Sequence, residues 1–158
     1  MRFAFRFVDN GTLHDDLVLE FGDAQYLCDS YFLAMDRRLT PKEEGAAKVR
    51  AVMRALLTQW ADAVTALPDG RCAYLPYEFS DQFTRWIACR REDERVRLSR
   101  GFSPLEGWRF TSSDLSISET APKGFKNEKE TLSASYLEFV EAVKQCLDQI
   151  LNHHPDGN

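Results

Sequence analysis

The sequence predicts an α+β fold: a mostly antiparallel sheet, made of an N-terminal hairpin and a central meander, with two amphipathic helices packed on one face. Apolar residues alternate at two-residue steps near the N-terminus, and short aromatic or β-branched segments recur in mid-chain. Two longer stretches carry apolar residues at three- and four-residue steps. The order strands, helix, strands, helix favours helices layered on a sheet. The 158 residues fit one domain, 1–152, with a frayed tail at 153–158.

The first element is a β-hairpin with one aromatic face. Phe3, Phe5 and Phe7 share a strand face, residues 9–12 form the turn, and apolar residues alternate again over 17–21. Residues 24–39 fit either a helix or a strand. We favour a third strand there, because a two-stranded ribbon needs further pairing.

The first helix is predicted to begin with a capping box. Thr40 is the expected N-cap, Pro41 the first helical residue and Glu43 the reciprocal partner of the cap. A single apolar stripe then runs to Pro68, which ends the helix. The stripe comprises Val49, Val52, Met53, Leu56, Leu57, Trp60, Val64 and Leu67.

The second helix is predicted to begin near Asn127 or Thr131. Its apolar side consists of Leu132, Tyr136, Phe139, Val140, Val143, Leu147, Ile150 and Leu151. Such a stripe must pack against a core.

The stretch between the helices is predicted to form an antiparallel meander. Its strands are expected at 71–79, 84–91, 95–100, 108–111 and 115–119. Pro76 places its strand at a sheet edge or at a strand end, because proline cannot donate to the ladder. Residues 92–94, Glu-Asp-Glu, are expected at a charged hairpin tip.

The chain is acidic, with a formal net charge of −5. Residues 85–109 are locally basic, since they hold seven arginines against four acids. Arg95 and Arg97 share a strand face on which guanidinium groups can grip phosphates, but pairing with nearby acids is the simpler interpretation. Nucleic acid is therefore not an expected partner.

The four cysteines are expected to be reduced structural thiols. Cys28, Cys72, Cys89 and Cys146 form no Cys-x-x-Cys pair and have no nearby histidine, so we expect no metal site.

No apolar run is long enough to span a bilayer, and the N-terminus lacks the pattern of a signal peptide. A cytoplasmic location follows as an expectation.

No catalytic motif is recognisable. Nucleotide-binding and hydrolase signatures are missing from the sequence, and His14, the one histidine before the tail, is expected to be an exposed residue of a hairpin strand beside Asp15 and Asp16. We predict no catalytic residue and no cofactor.

The segment 75–86 combines aromatic residues with two carboxylates. A structural turn held by Ser80 or Asp81 is one interpretation of it. A protein-contact surface is another, because aromatic residues supply most hot-spot energy. The candidate contact residues are Tyr77, Glu78, Asp81 and Phe83.

In size, acidity, solitary α+β architecture and lack of catalytic motifs, the chain resembles the small cytoplasmic immunity proteins of bacterial toxin–immunity pairs. The resemblance implies neutralisation of a basic toxin domain by direct binding, in which charge complementarity speeds encounter. It carries over no functional residue. The alternative is a small enzyme acting on a polar or anionic metabolite through Glu78, Asp81 and arginines.

Overall fold

The computed structural model describes residues 1–113, 117 and 119–152, except the side chain of Lys129. Seven strands of these residues form two antiparallel sheets. The first sheet has the order β1-β2-β3 and the second the order β4-β5-β6-β7. The strands are β1 Phe3–Phe7, β2 Leu17–Phe21, β3 Ala24–Cys28, β4 Cys72–Phe79, β5 Thr84–Glu92, β6 Arg95–Ser103 and β7 Lys126–Ser135.

The helices are α1 Tyr31–Ala34, α2 Ala46–Thr65 and α3 Tyr136–Leu151, with a 3-10 helix at Gly107–Arg109. The two long helices pack against each other, α3 also contacts β1, and α2 contacts β4. The predicted α+β class with antiparallel pairing is confirmed. The strands are divided between two sheets, however, where the sequence suggested one.

The start of α2 differs from the prediction. The helix begins at Ala46 with Gly45 as N-cap, so the capping box of Thr40 and Glu43 is wrong. Gly45 adopts a φ of 146°, which interrupts any helical run extending from Pro41. The predicted stripe itself is confirmed, because every member is buried, from Val49 to Leu67.

The start of α3 also differs. Residues 126–135, predicted to be partly helical, form strand β7, and the helix begins only at Tyr136. Ser135 is the N-cap, and its hydroxyl accepts a hydrogen bond from the backbone N–H of Glu138 at 3.4 Å. Leu132 therefore belongs to the strand, and Leu151 at the end of the predicted stripe is exposed.

The meander is confirmed for three of its five predicted strands. Pro76 lies on β4, an edge strand, and residues 93–94 form the turn between β5 and β6. The predicted strand at 108–111 is instead a 3-10 helix followed by extended residues. The one at 115–119 lies mostly outside the described residues. The ambiguous segment 24–39 contains both candidate structures, strand β3 and helix α1.

Trp60 joins the two sheets through the helix layer. Its ring stacks on Phe5 of β1 with a centroid distance of 5.3 Å, and its Nε1–H donates to the carbonyl oxygen of Pro76 on β4 at 3.1 Å. The ring of Phe5 in turn meets Tyr77 edge-on. One α2 side chain in the core therefore contacts both sheets.

The four thiols are unpaired. Cys28, Cys89 and Cys146 are buried and Cys72 is half-buried. Cys72 and Cys89 lie on adjacent strands, but Ala73 is the residue opposite Cys89, so the two thiols point to opposite faces of the sheet. Burial raises the pKa of all four thiols.

Replacing Trp60 with alanine is expected to lower the free energy of unfolding by about 3–5 kcal/mol, because the change removes a buried ring and leaves the Pro76 carbonyl without its donor. Chemical denaturation measures the loss. The control is Thr58→Ala on the exposed face of α2, expected within about 0.5 kcal/mol of wild type. A loss below about 1 kcal/mol for Trp60→Ala contradicts the assigned core.

Thiol titration at pH 8 should be slow in the folded protein, because burial and raised pKa values keep the thiolate fraction low. Cys72 should react first. After denaturation without reductant, four thiols should react, and a count of two or fewer would contradict the described thiol state.

Candidate functional site

Two β-bulges of the second sheet direct glutamates towards arginines on the central strands. On β4 the register shifts between Pro76 and Glu78, which brings Glu78 opposite Arg85. On β7 the shift places residues 128–130 opposite Arg100, so that Glu128 and Glu130 flank it. Bulges reorient side chains and recur beside functional sites. We name the resulting group the inter-sheet cluster: Tyr26, Tyr77, Glu78, Arg85, Arg100, Glu128 and Glu130.

Arg100 is the centre of the inter-sheet cluster, and its side chain is only 7% exposed. The guanidinium donates to the Tyr77 hydroxyl at 3.1 Å and forms an ion pair with Glu128 at 2.8 Å. Its Nε lies 3.6 Å from a Glu130 oxygen but makes no hydrogen bond with any residue that the structure describes. The Tyr26 ring of the first sheet covers the guanidinium at 3.4 Å from the ring centroid. Arg100 thus links the two sheets through a buried charge.

Arg85 forms the more open half of the cluster. Its Nη1 lies 2.7 Å from Glu78 Oε2, and its Nε lies 3.4 Å from Glu128 Oε1. Phe83 lies beneath the guanidinium at 4.6 Å. Glu128 therefore bridges the two arginines, with one carboxylate oxygen on each.

The cluster borders a cavity of about 310 Å³ between β3 and the second sheet, partly open to solvent. Its lining consists of Gln25, Tyr26, Leu27, Cys28, Tyr77, Glu78, Arg85, Arg100 and Glu128. The volume lies at the lower end of the range for small-molecule sites. Polar groups converge on it from both sheets, so the arrangement can bind a small polar group.

Burial dominates the electrostatics of the cavity wall. It raises the pKa of the Cys28 thiol, with the nearby Glu78 carboxylate acting in the same direction. Burial also raises the pKa of Tyr77, against the effect of its hydrogen bond with Arg100. At neutral pH the thiol and the phenol are therefore uncharged, and neither is an activated nucleophile.

The four predicted contact residues separate in the structure. Tyr77 is 1% exposed and cannot be an interface anchor, so that prediction is wrong; the alternation around the bulge points its ring into the core. Glu78 lies in the cavity wall, and Phe83 is half-buried beneath Arg85. Only Asp81 is exposed. The predicted turn is present, since the Ser80 hydroxyl oxygen accepts from the backbone N–H of Phe83 at 3.2 Å.

Asp81 belongs to a second feature, at the molecular surface. One of its carboxylate oxygens accepts a hydrogen bond from Trp108 Nε1 at 3.0 Å, and the Trp108 ring packs on Phe32 with a centroid distance of 4.5 Å. Phe32 meets Tyr31 edge-on, and Tyr31 stacks on His14. We name His14, Tyr31, Phe32 and Trp108 the aromatic ladder. Sequence reasoning did not identify Trp108 and Tyr31 as contact residues, because the exposure of their side chains depends on how α1 and the 3-10 helix pack together.

His14 is exposed, as predicted, but it lies in a loop and not on a strand. Its imidazole pairs with Asp29 at 3.3 Å, and Asp16 instead binds the backbone N–H and hydroxyl of Ser30. The local engagement that we favoured for the arginines of β6 is present for both: Arg97 pairs with Glu92, and Arg95 donates to Ser133.

In the part of the chain that the structure describes, no group of three or more His, Cys, Asp or Glu residues is placed to hold a metal ion. None of the described helices is long and apolar enough to cross a membrane. No family model, curated protein or solved structure matches the chain.

Replacing Arg100 with methionine is expected to destabilise the protein by about 3–5 kcal/mol, because Glu128, Glu130 and the Tyr77 hydroxyl lose their shared buried partner. The matched control is Arg97→Met on the same strand, whose exposed ion pair contributes at most about 1 kcal/mol. Denaturant unfolding compares the two variants. Equal losses would contradict the central position of Arg100.

Proposed function

We propose that the protein is a non-catalytic protein-binding domain whose contact surface is the aromatic ladder with its acidic ends. The observation that carries the proposal is Trp108, which is 55% exposed and yet fixed on both sides, by Phe32 and by Asp81. Tryptophan and tyrosine dominate binding hot spots. An indole that is already held in place loses little conformational entropy on binding.

The charge of the protein supports a basic partner. The net charge is −5, and a carboxylate lies at each end of the ladder, half-buried Asp29 at His14 and exposed Asp81 at Trp108. Exposed Arg37 lines the same surface depression as Phe32 and Trp108, and it offers the partner a point of orientation. Opposite charges accelerate encounter and fix the register of the two surfaces.

A basic toxin domain is the partner that this proposal favours, with the chain acting as its immunity protein in the cytoplasm. Neutralisation by binding requires a rigid contact surface and no catalytic group. The fixed ring of Trp108 supplies such a rigid contact. The four unpaired thiols support a reducing compartment.

A second candidate function is an enzyme acting on a polar metabolite, and the cavity at Glu78, Arg85 and Arg100 favours it. Asp81, the other carboxylate of that hypothesis, lies at the Trp108 surface and not in the cavity wall. Glu78 and Glu128 are held in ion pairs with arginines, an arrangement that favours binding over proton transfer.

The partner should be captured from the native host by the wild-type protein and lost with Trp108→Ala, while Leu137→Ala, an exposed change on α3, retains it. Quantitative mass spectrometry of the three eluates measures this. We expect a basic protein, bound at one-to-one stoichiometry and encoded beside the gene of this chain. A partner retained equally by Trp108→Ala contradicts the assigned surface.

With the partner in hand, Asp81→Asn should slow association and weaken its salt dependence, because the amide oxygen can still accept from Trp108 while the charge is removed. Trp108→Ala should instead speed dissociation about 30-fold, the equivalent of about 2 kcal/mol at a hot spot. Surface plasmon resonance at two salt concentrations separates the rates. Wild-type kinetics for both folded variants would refute the proposed surface.

A further inference from the structure

We propose that the outer edge of β3 binds an extended polypeptide segment of a partner, which adds to the first sheet as a further antiparallel strand. The segment has an uncharged centre and a lysine or arginine at each end. The inference does not rest on the proposed function. It rests on the unpaired main-chain groups of Gln25 and Leu27, the uncharged sequence of β3 and the aspartates that flank the strand.

The direction of the β3 main-chain groups follows from the pairing of the first sheet. The Gly22 N–H donates to the Arg2 carbonyl oxygen at 2.8 Å, so the even-numbered residues of β2 exchange hydrogen bonds with β1. The odd-numbered residues of β2 therefore bond to their partners on β3, which are Ala24, Tyr26 and Cys28. Gln25 and Leu27 alternate with these partners, so their N–H and C=O groups point away from β2. There they form no hydrogen bond with any residue that the structure describes.

The other edge strands of the described sheets are protected, and β3 is not. On β1 the outward N–H of Phe5 donates to Cys146 Sγ of α3 at 3.3 Å. On β4 Pro76 has no N–H, and a register shift follows it. The pairing of β7 is also interrupted by a register shift, and this strand carries several charged residues. β3 has a regular register, no proline and no charged residue, so its free N–H and C=O groups are open to another strand.

Charge selects the ends of the added segment. Asp23 precedes β3 and Asp29 follows it. In antiparallel pairing centred on Tyr26, the end residues of a seven-residue segment lie opposite these two aspartates. A lysine or arginine is attracted there. A second copy of this chain would instead place Asp23 opposite Asp29 at both ends, and like charges directly opposite each other are destabilising. The edge therefore favours a partner with basic ends over self-pairing.

The centre of the segment meets the cavity that β3 lines. The residue opposite Tyr26 directs its side chain to the same face of the sheet as the Tyr26 ring, which is the face that covers Arg100. The charges of the cavity wall are balanced, because each of its two glutamates forms an ion pair with one of its two arginines. An uncharged polar side chain, such as glutamine, therefore fits the central position better than lysine or glutamate.

The test titrates the peptide acetyl-Lys-Val-Thr-Gln-Thr-Val-Lys-amide into ¹⁵N-labelled protein, so that the glutamine can pair with Tyr26. We expect saturable binding that slows hydrogen exchange at the amides of Gln25 and Leu27. The Tyr26 amide, which bonds to β2, should be protected with and without peptide. Absence of saturable binding overturns the proposal. Protection of the Leu27 amide that rises with protein concentration alone assigns the edge to a second copy and also overturns it.

N-methylation of the peptide separates strand addition from binding through side chains. A methyl group on the third residue removes the N–H that reaches the Leu27 carbonyl oxygen, and it should weaken binding at least about tenfold. A methyl group on the fourth residue, whose N–H points away from β3, should change the affinity by less than about threefold. Equal effects of the two methyl groups refute strand addition.

Variants of the protein test the same edge. Leu27→Pro removes an outward N–H without removing a bond of the β2–β3 ladder, and it should weaken peptide binding at least about tenfold. Its matched control, Leu27→Ala, keeps the N–H and should bind within about threefold of wild type. Wild-type affinity in folded Leu27→Pro refutes the edge.

The charge at the ends is tested with a peptide in which both lysines are replaced by glutamate. It should bind at least about tenfold more weakly than the lysine peptide, and Asp23→Asn should narrow this difference. Equal affinity of the two peptides contradicts the basic ends. Trp108→Ala should leave binding of the lysine peptide unchanged, so a failure of the β3 edge and a failure of the aromatic ladder are distinguishable.

Discussion

The buried charge of Arg100 is the constraint on which the arrangement of the two sheets depends. A guanidinium removed from water must be surrounded by acceptors and by a polarisable face. Its acceptors come from β4 and β7 of the second sheet, while the covering ring of Tyr26 comes from β3 of the first. Trp60 adds a second link between the sheets, because it stacks on Phe5 of β1 and donates to the Pro76 carbonyl oxygen of β4. A buried charge and a buried indole thus connect the same pair of sheets.

The difference between apolar and charged contacts explains which parts of the fold were predictable from sequence. The apolar stripe of α2 from Val49 to Val64 is a local pattern that fits only a helix. The aromatic alternation of β1 is a second local pattern, and it fits only a strand. The β7 strand was missed because its inward-facing positions include Glu128 and Glu130. A pattern that equates inward with apolar cannot detect glutamates whose burial is offset by arginines on the neighbouring strand.

The helix starts show the limits of local capping signals. Thr40 and Glu43 have the spacing of a capping box, but Gly45 turns the chain and starts the helix later. The cap of α3, Ser135 followed by Glu138, has the same spacing. The sequence does not single it out, because the apolar periodicity continues back to Leu132 in the preceding strand.

The candidate site was predicted only in part. Asp81 and Glu78 were named, but Tyr77 was placed outside the core because a bulge changes the alternation that sequence reasoning assumes.

The coupling between the two sheets at Arg100 can be measured with a double-mutant cycle of Tyr26→Leu and Arg100→Met, each variant unfolded in denaturant at pH 7. The two side chains belong to different sheets, so their coupling reports the inter-sheet contact and not the stability of either sheet alone. If Arg100 joins the sheets as described, the coupling free energy should be about 1–2 kcal/mol, in the range of a desolvated cation–π contact. A coupling free energy indistinguishable from zero would contradict it.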